Sequence, residues 1–160
     1  MFKYDVKPDG DLAYSNEAAL QLCDIMRKYQ VDAVLYHWKN SMHKDHMATH
    51  RIVKDAQFFA GLPAIQRQEP AHFAAGPYYA ENWEDAEGYV PYTYVEVTQE
   101  GFDLWYQAIS THWFTVHSPS FHYRDYYATL MKLRGYLCRK AYAQTYAVEE
   151  IQKKEIRTSF

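Results

Sequence analysis

At 160 residues, with 48% hydrophobic and 23% charged residues, the chain has the balance of one globular domain able to bury a real core. Its net charge of -3 excludes a protein whose whole surface embraces nucleic acid. No apolar run approaches the roughly 18 residues of a membrane span, and the N-terminus carries no hydrophobic signal region, which points to the cytoplasm. Aromatic residues reach 18%, with 16 tyrosines, which fits rings packed inward with wet hydroxyls. Cys23 and Cys138 stand far apart, form no ligand pair and are expected to be reduced, buried thiols.

In chain order, residues 1–14 read as an arm or short strand punctuated by Pro8 and Gly10. Ser15 caps a first helix that carries Ala18, Leu22, Ile25 and Met26 and ends near Tyr29 or Gln30. Asp32 caps a second helix with Val34, Leu35 and Trp38, ending at the turn formers Asn40 and Ser41. A third helix runs from about Lys44 to Ala60, with Ala48, Ile52, Ala56 and Phe59 on one face. Gly61 suits its C-terminal cap, and Pro63 prevents continuation.

From Pro63 to Pro91 the pattern is irregular, with a first short strand at 64–68 and an acidic cluster from Glu81 to Glu87. Period 2 returns at Tyr92–Val97, after which Thr98 caps a helix carrying Phe102, Leu104 and Trp105 and reaching about Trp113. Beyond Ser118-Pro119 a long helix is expected to run to Lys154 through Tyr126, Leu130, Leu133, Leu137, Ala141, Thr145 and Val148, with Gly135 as a possible kink. A helix of that length pairs with a second subunit or wraps its own domain.

The charges are segregated. Residues 39–67 carry five basic residues against two acids, 69–103 carry eight acids with no Lys or Arg, and 120–160 are basic again. A strand ending in Val97-Thr98-x-Glu100-Gly101, with a helical pair upstream, resembles the wing strand and following helix of winged helix-turn-helix regulators such as the MarR and PadR families. That resemblance implies a mainly α fold with a small antiparallel β hairpin, a winged helix-turn-helix core and a long C-terminal helix. It divides the chain into a winged-helix-like domain at 1–117, with an acidic insertion around 69–91, and a dimerisation or packing helix at 118–160. The function it implies is transcriptional regulation by a homodimer on double-stranded DNA. Lys44, Arg51 and Lys54 would then hold phosphates, while His46, His50 and Gln57 approach base edges. The chain departs from the pattern in its acidic, overlong wing, where like charge opposes phosphate.

Two other readings stand beside it. A protein-binding adaptor or inhibitor, in the manner of small phage-encoded proteins, would dock a basic partner on the acidic aromatic segment 73–94 through Trp83, Glu84, Asp85 and Glu87. Alternatively His43, His46 and His50, at i, i+3 and i+7 on one helical face, would bind a divalent transition metal such as zinc. That set lacks the Cys of structural zinc sites and the Glu of HExxH. With no nucleophile elbow, dinucleotide fingerprint or phosphate-cradling glycine loop, catalysis ranks below binding and no cofactor is expected.

Overall fold

The computed structural model describes residues 8–154 and 157–159, so the first seven residues of the expected arm lie outside the described residues. The chain divides into two compact units: one runs up to Val90 and resumes at Ala147, and the other is Pro91–Tyr146.

In the first unit, α1 spans Asn16–Tyr29; Ser15 accepts at its Oγ from the Ala18 N–H, and left-handed Gln30 (φ 50°) closes the helix. The next element is β1, Ala33–His37, and not a helix. Val34, Tyr36 and Trp38 point into the core while Ala33 and Leu35 face out, which is period 2. A run this short leaves helix and strand indistinguishable to local spacing alone, and pairing with β2 settles it as strand. Helix α2 spans Lys44–Gly61 and leads to β2, Ala75–Ala80, which pairs parallel with β1 from Ala33↔Ala75 to His37↔Ala80. A parallel pair needs such a crossover helix, so 33–80 is one β-α-β unit. Its core joins Ala19, Cys23 and Met26 of α1 to Ile52, Ala56 and Ala60 of α2 and to Val34, Tyr36 and Tyr79 of the strands. The alanines let the two helices approach closely.

Arg27 is 2% exposed, and among the described residues its guanidinium has no carboxylate hydrogen-bond partner. It donates instead to the carbonyls of Phe59, Ala60, Leu62, Ile65 and Glu69, at 2.9–3.1 Å. These oxygens end α2 and line the turn after it, where helical partners run out. The segment at 64–68, expected as a first wing strand, is therefore a loop wrapped on one guanidinium.

Chain from Ala147 onward returns to this unit. Ala147 and Val148 are buried, and the next residue, Glu149, accepts from Tyr79 Oη at 2.7 Å and from Lys54 Nζ at 3.1 Å. Burial pushes the Glu149 carboxyl up, but the hydrogen bonds from Tyr79 and Lys54 outweigh it and hold the group below its ordinary 4.5. A depressed folded pKa makes Glu149 stabilising above about pH 4.5, and that stabilisation disappears as pH falls through the folded value. In urea melts from pH 7 to pH 3, Glu149→Gln should therefore lose stability at neutral pH and converge on the wild type in acid. A gap that stays constant with pH would contradict this.

In the second unit, β3 spans Thr93–Val97 and pairs antiparallel with β4, Tyr142–Ala147, from Thr93↔Tyr146 to Val97↔Tyr142. Thr98 caps α3, Gln99–Ile109, by accepting from the Gly101 N–H; α4 is Trp113–His117 and α5 is Tyr123–Leu137. The expected helix to Lys154 stops at Leu137 because the chain folds back. A Cβ built on Gly135 would lie 2.7 Å from Tyr142 N and 2.8 Å from the Ala141 carbonyl. Gly135 is thus where returning backbone presses on the helix, and not a kink. Gly135→Ala should lower stability by about 1–3 kcal/mol, read as a drop in melting temperature, since backbone atoms cannot swing aside. An unchanged melt would show that the return turn yields.

The fold expectation is overturned. The strands make a mixed parallel and antiparallel set within an α/β architecture, not a wing hairpin on a mainly α body. Helix-turn-helix geometry cannot exist where its first partner helix is β1. The homodimer expectation rested on the long C-terminal helix, which β4 replaces.

Candidate active site

The carboxyl ends of parallel strands β1 and β2 converge on one place, the usual position for ligands in open α/β sheets. His37 ends β1, His46 sits in the first turn of α2, and Asp85 closes the short 3-10 turn Trp83–Asp85 just after β2. That turn is held against the 38–42 loop by three bonds. Trp38 Nε1 and Asn40 Nδ2 donate to the Glu87 carbonyl at 3.0 and 3.3 Å, and the Met42 N–H donates to the Glu84 carbonyl at 3.1 Å.

Asp85 is fully buried, and its two oxygens divide between the imidazoles: His37 Nδ1 lies 3.0 Å from Oδ2 and His46 Nδ1 2.8 Å from Oδ1. The rings stack, with centroids 3.9 Å apart and planes 14° off parallel. Burial raises the Asp85 pKa, yet hydrogen bonds from His37, Ser41 and His46 prevail and leave it below the ordinary aspartate value. An ionised carboxylate only accepts, so both rings carry their proton on Nδ1 and, when neutral, have a lone pair on Nε2. This is the carboxylate–histidine arrangement that orients metal-binding imidazoles. The ligand atoms of His37, His46 and Asp85 all lie within 4.8 Å of one another, and with Asp85 engaged at both Nδ1–H groups the two Nε2 atoms are the donors that suit zinc or a similar divalent ion.

His43 has the opposite tautomer. Its Nδ1 accepts from the Asp45 N–H at 3.2 Å as the cap of α2, so its Nε2 carries the proton toward Asp9 Oδ1, 3.1 Å away. It stacks on His46 at 4.6 Å. Asp45 accepts from the Gly10 and Leu12 N–H groups and so ties the entering loop to the start of α2.

The polar stripe expected on α2 is not a free face. His50 is buried, with Nδ1 donating to the His37 carbonyl at 3.0 Å; Gln57 donates to the carbonyls of Ala74 and Ala75. Lys54 is paired with Glu149, and Arg51 lies 4.2 Å over the Tyr14 ring. Lys44 remains exposed, and His46 belongs to Asp85. The trio His43, His46 and His50 is not brought together as ligands. Among the described residues the metal-capable groups are His37–His46–Asp85 and Asp9–His43–Asp45. Of the residues expected to meet a protein partner, Asp85 is buried, Trp83 and Glu84 are half-buried and Glu87 is exposed. Glu84 Oε2 stands 3.7 Å from His46 Nε2.

The comparisons agree with this architecture. The family described as PIG-L: GlcNAc-PI de-N-acetylase matches residues 3–57, which take in β1, α2 as far as Gln57, and both histidines of the pair. The conserved protein TT1542 from Thermus thermophilus superposes with a TM-score of 0.78 at 19% identity, over 96% of this chain and 67% of that one. GalB, the 4-carboxy-2-hydroxymuconate hydratase from Pseudomonas putida KT2440, gives 0.71 at 15% identity, over 94% and 64%. The N,N'-diacetylchitobiose deacetylase from Pyrococcus horikoshii gives 0.63 at 20% identity, over 89% and 55%. The fold is shared with all three, and the chain spans between 55% and 67% of their lengths. No curated protein matches. These likenesses replace the MarR and PadR resemblance and, with it, transcriptional regulation and the double-stranded DNA partner. Among the described residues no helix is long and apolar enough to cross a membrane.

Proposed function

We propose that this chain carries the imidazole–carboxylate part of a metal-assisted centre that adds water to a small-molecule substrate, with removal of an acyl group from nitrogen as the reaction. The observation that carries this reading is Asp85, buried and accepting from both His37 and His46. Support comes from the matched family, described as a de-N-acetylase, and from a deacetylase and a hydratase of the same fold, whose names both denote use of water. His37 and His46, through Nε2, would hold the ion. A zinc ion there supplies Lewis acidity toward a carbonyl oxygen.

The chain's own residues do the rest. Asp85 keeps both Nδ1 protons in place and fixes the ring planes. The Glu84 carboxylate, half-buried beside His46 Nε2, is placed to accept a proton from an attacking water. The protonated Glu84 carboxyl would then give that proton to the departing nitrogen, with the His43 ring stacked alongside His46. The free cysteines Cys23 and Cys138 accord with a cytoplasmic setting, which belongs to this proposal.

The test is zinc loading followed by gel filtration, elemental analysis and acetate release from N-acetylglucosamine. Wild type should retain about one zinc per chain and release acetate only when loaded, and His37→Ala with His46→Ala should retain less than about a tenth. Equal retention by the double variant would overturn the assignment.

A further inference from the structure

His50 lies buried in α2 four residues beyond His46, and no step of the proposed chemistry uses it. Side chains at i and i+4 leave the same face of a helix, about 6 Å apart along its axis. His37 is therefore held by α2 at two levels. His46 stacks on its ring at 3.9 Å, and His50 Nδ1 donates to its backbone carbonyl at 3.0 Å. A carbonyl only accepts, so the proton of that bond belongs to Nδ1 of His50. The His50 ring packs against Tyr36 and Tyr79, with centroids 5.5 and 5.3 Å away, and so has little room to turn.

The carbonyl that His50 holds is the last of its strand. The register of β1 with β2 ends at His37↔Ala80, and Trp38 begins the loop. The His37 side chain is 34% exposed against 17% for His46, so packing restrains the first ring less than the second. Nε2 stands at the far end of that ring, where a small tilt of the backbone becomes a larger displacement. Metal sites tolerate about 0.2 Å in their ligand distances, and a loose supporting shell is enough to spoil one.

On the reading of His37 and His46 as the ion's ligands, we infer that His50 is a positioning residue. By holding the His37 carbonyl it sets where His37 Nε2 stands relative to His46 Nε2, and it touches neither ion nor substrate. Two substitutions separate position from packing. In His50→Asn the amide nitrogen falls where Nδ1 lay and donates to the same carbonyl, but the smaller side chain leaves a hole. In His50→Leu most of the volume is kept and the donor is gone. Should His50→Leu not fold, His50→Gln, whose amide lies one carbon further out, takes its place.

Both variants should melt below wild type. In metal-free protein with nitrogen-15-labelled histidine, the His37 Nδ1–H resonance should keep its position in His50→Asn and shift or broaden in His50→Leu. The His46 resonance should hold in both. Zinc affinity by calorimetry should fall about 10- to 100-fold in His50→Leu, the range for groups that orient a ligand, and stay within about threefold of wild type in His50→Asn. A wild type that retains no zinc ends the proposed function, while the metal-free resonances still decide whether His50 places His37. An unmoved His37 resonance in His50→Leu, equal disturbance in both variants, or zinc affinity that merely follows melting temperature overturns the positioning role.

Discussion

Asp85→Asn should weaken zinc binding about 10- to 100-fold by calorimetry while leaving the far-ultraviolet spectrum intact. The asparagine amide has one acceptor oxygen and a donor NH2 where aspartate has two acceptor oxygens. One of the Nδ1–H groups of His37 and His46 therefore faces a donor, and its ring must rotate or change tautomer, which moves the proton onto Nε2, the side meant for the metal. The shape is conserved, so the loss isolates orientation from packing. Asp85→Ala would confuse the two, because it also opens a hole under buried rings. Wild-type affinity in Asp85→Asn would show that the carboxylate does not orient the pair.

Arg27→Met should destabilise the protein by about 3–5 kcal/mol in urea unfolding, the scale seen when a buried charge network loses one member. Methionine fills much of the volume but offers nothing to the carbonyls of Phe59, Ala60, Leu62, Ile65 and Glu69. Those nearest the surface can turn to water, but Ala60, fully buried in the core, cannot. Arg27→Lys should recover part of the loss, because an ammonium group has fewer donors and lacks the planar fork that reaches several acceptors at once. Hydrogen exchange should quicken first across 59–69. A cost under about 1 kcal/mol, within reach of ordinary surface changes, would mean that water replaces the guanidinium freely.

The caps and the longer helices are legible in the sequence. Ser15, Thr98 and the Lys44 start of α2 fall where the pattern places them, because capping and 3.6-residue spacing are local properties. What escapes the sequence is long-range. Five residues of β1 satisfy helical spacing as well as alternation, and only pairing with β2 through α2 decides between them. With β1 read as helix, the following helix looks like a recognition helix and its inward histidines look like an outward stripe. His46 stands out for the wrong neighbour, and Asp85 for an acidic surface when it is buried. His37 is the missed member. The signal that could find it is Val34, Tyr36 and Trp38 alternating around a histidine just ahead of a helix with histidines at its start. That pattern places an imidazole at the carboxyl end of a strand. The long C-terminal helix fails for a similar reason: Gly135 reads as a kink, and backbone returning against it has no signature within the helix itself.

The most direct measurement is nitrogen-15 NMR of labelled histidine side chains, with and without one equivalent of zinc. Without metal, His37 and His46 should show protonated Nδ1 and unprotonated Nε2, and His43 the reverse. On adding zinc, the Nε2 resonances of His37 and His46 should move together while His50 stays in place. Protonated Nε2 on either member of the pair, or a zinc response confined to His43 and His50, would contradict a centre built on Asp85.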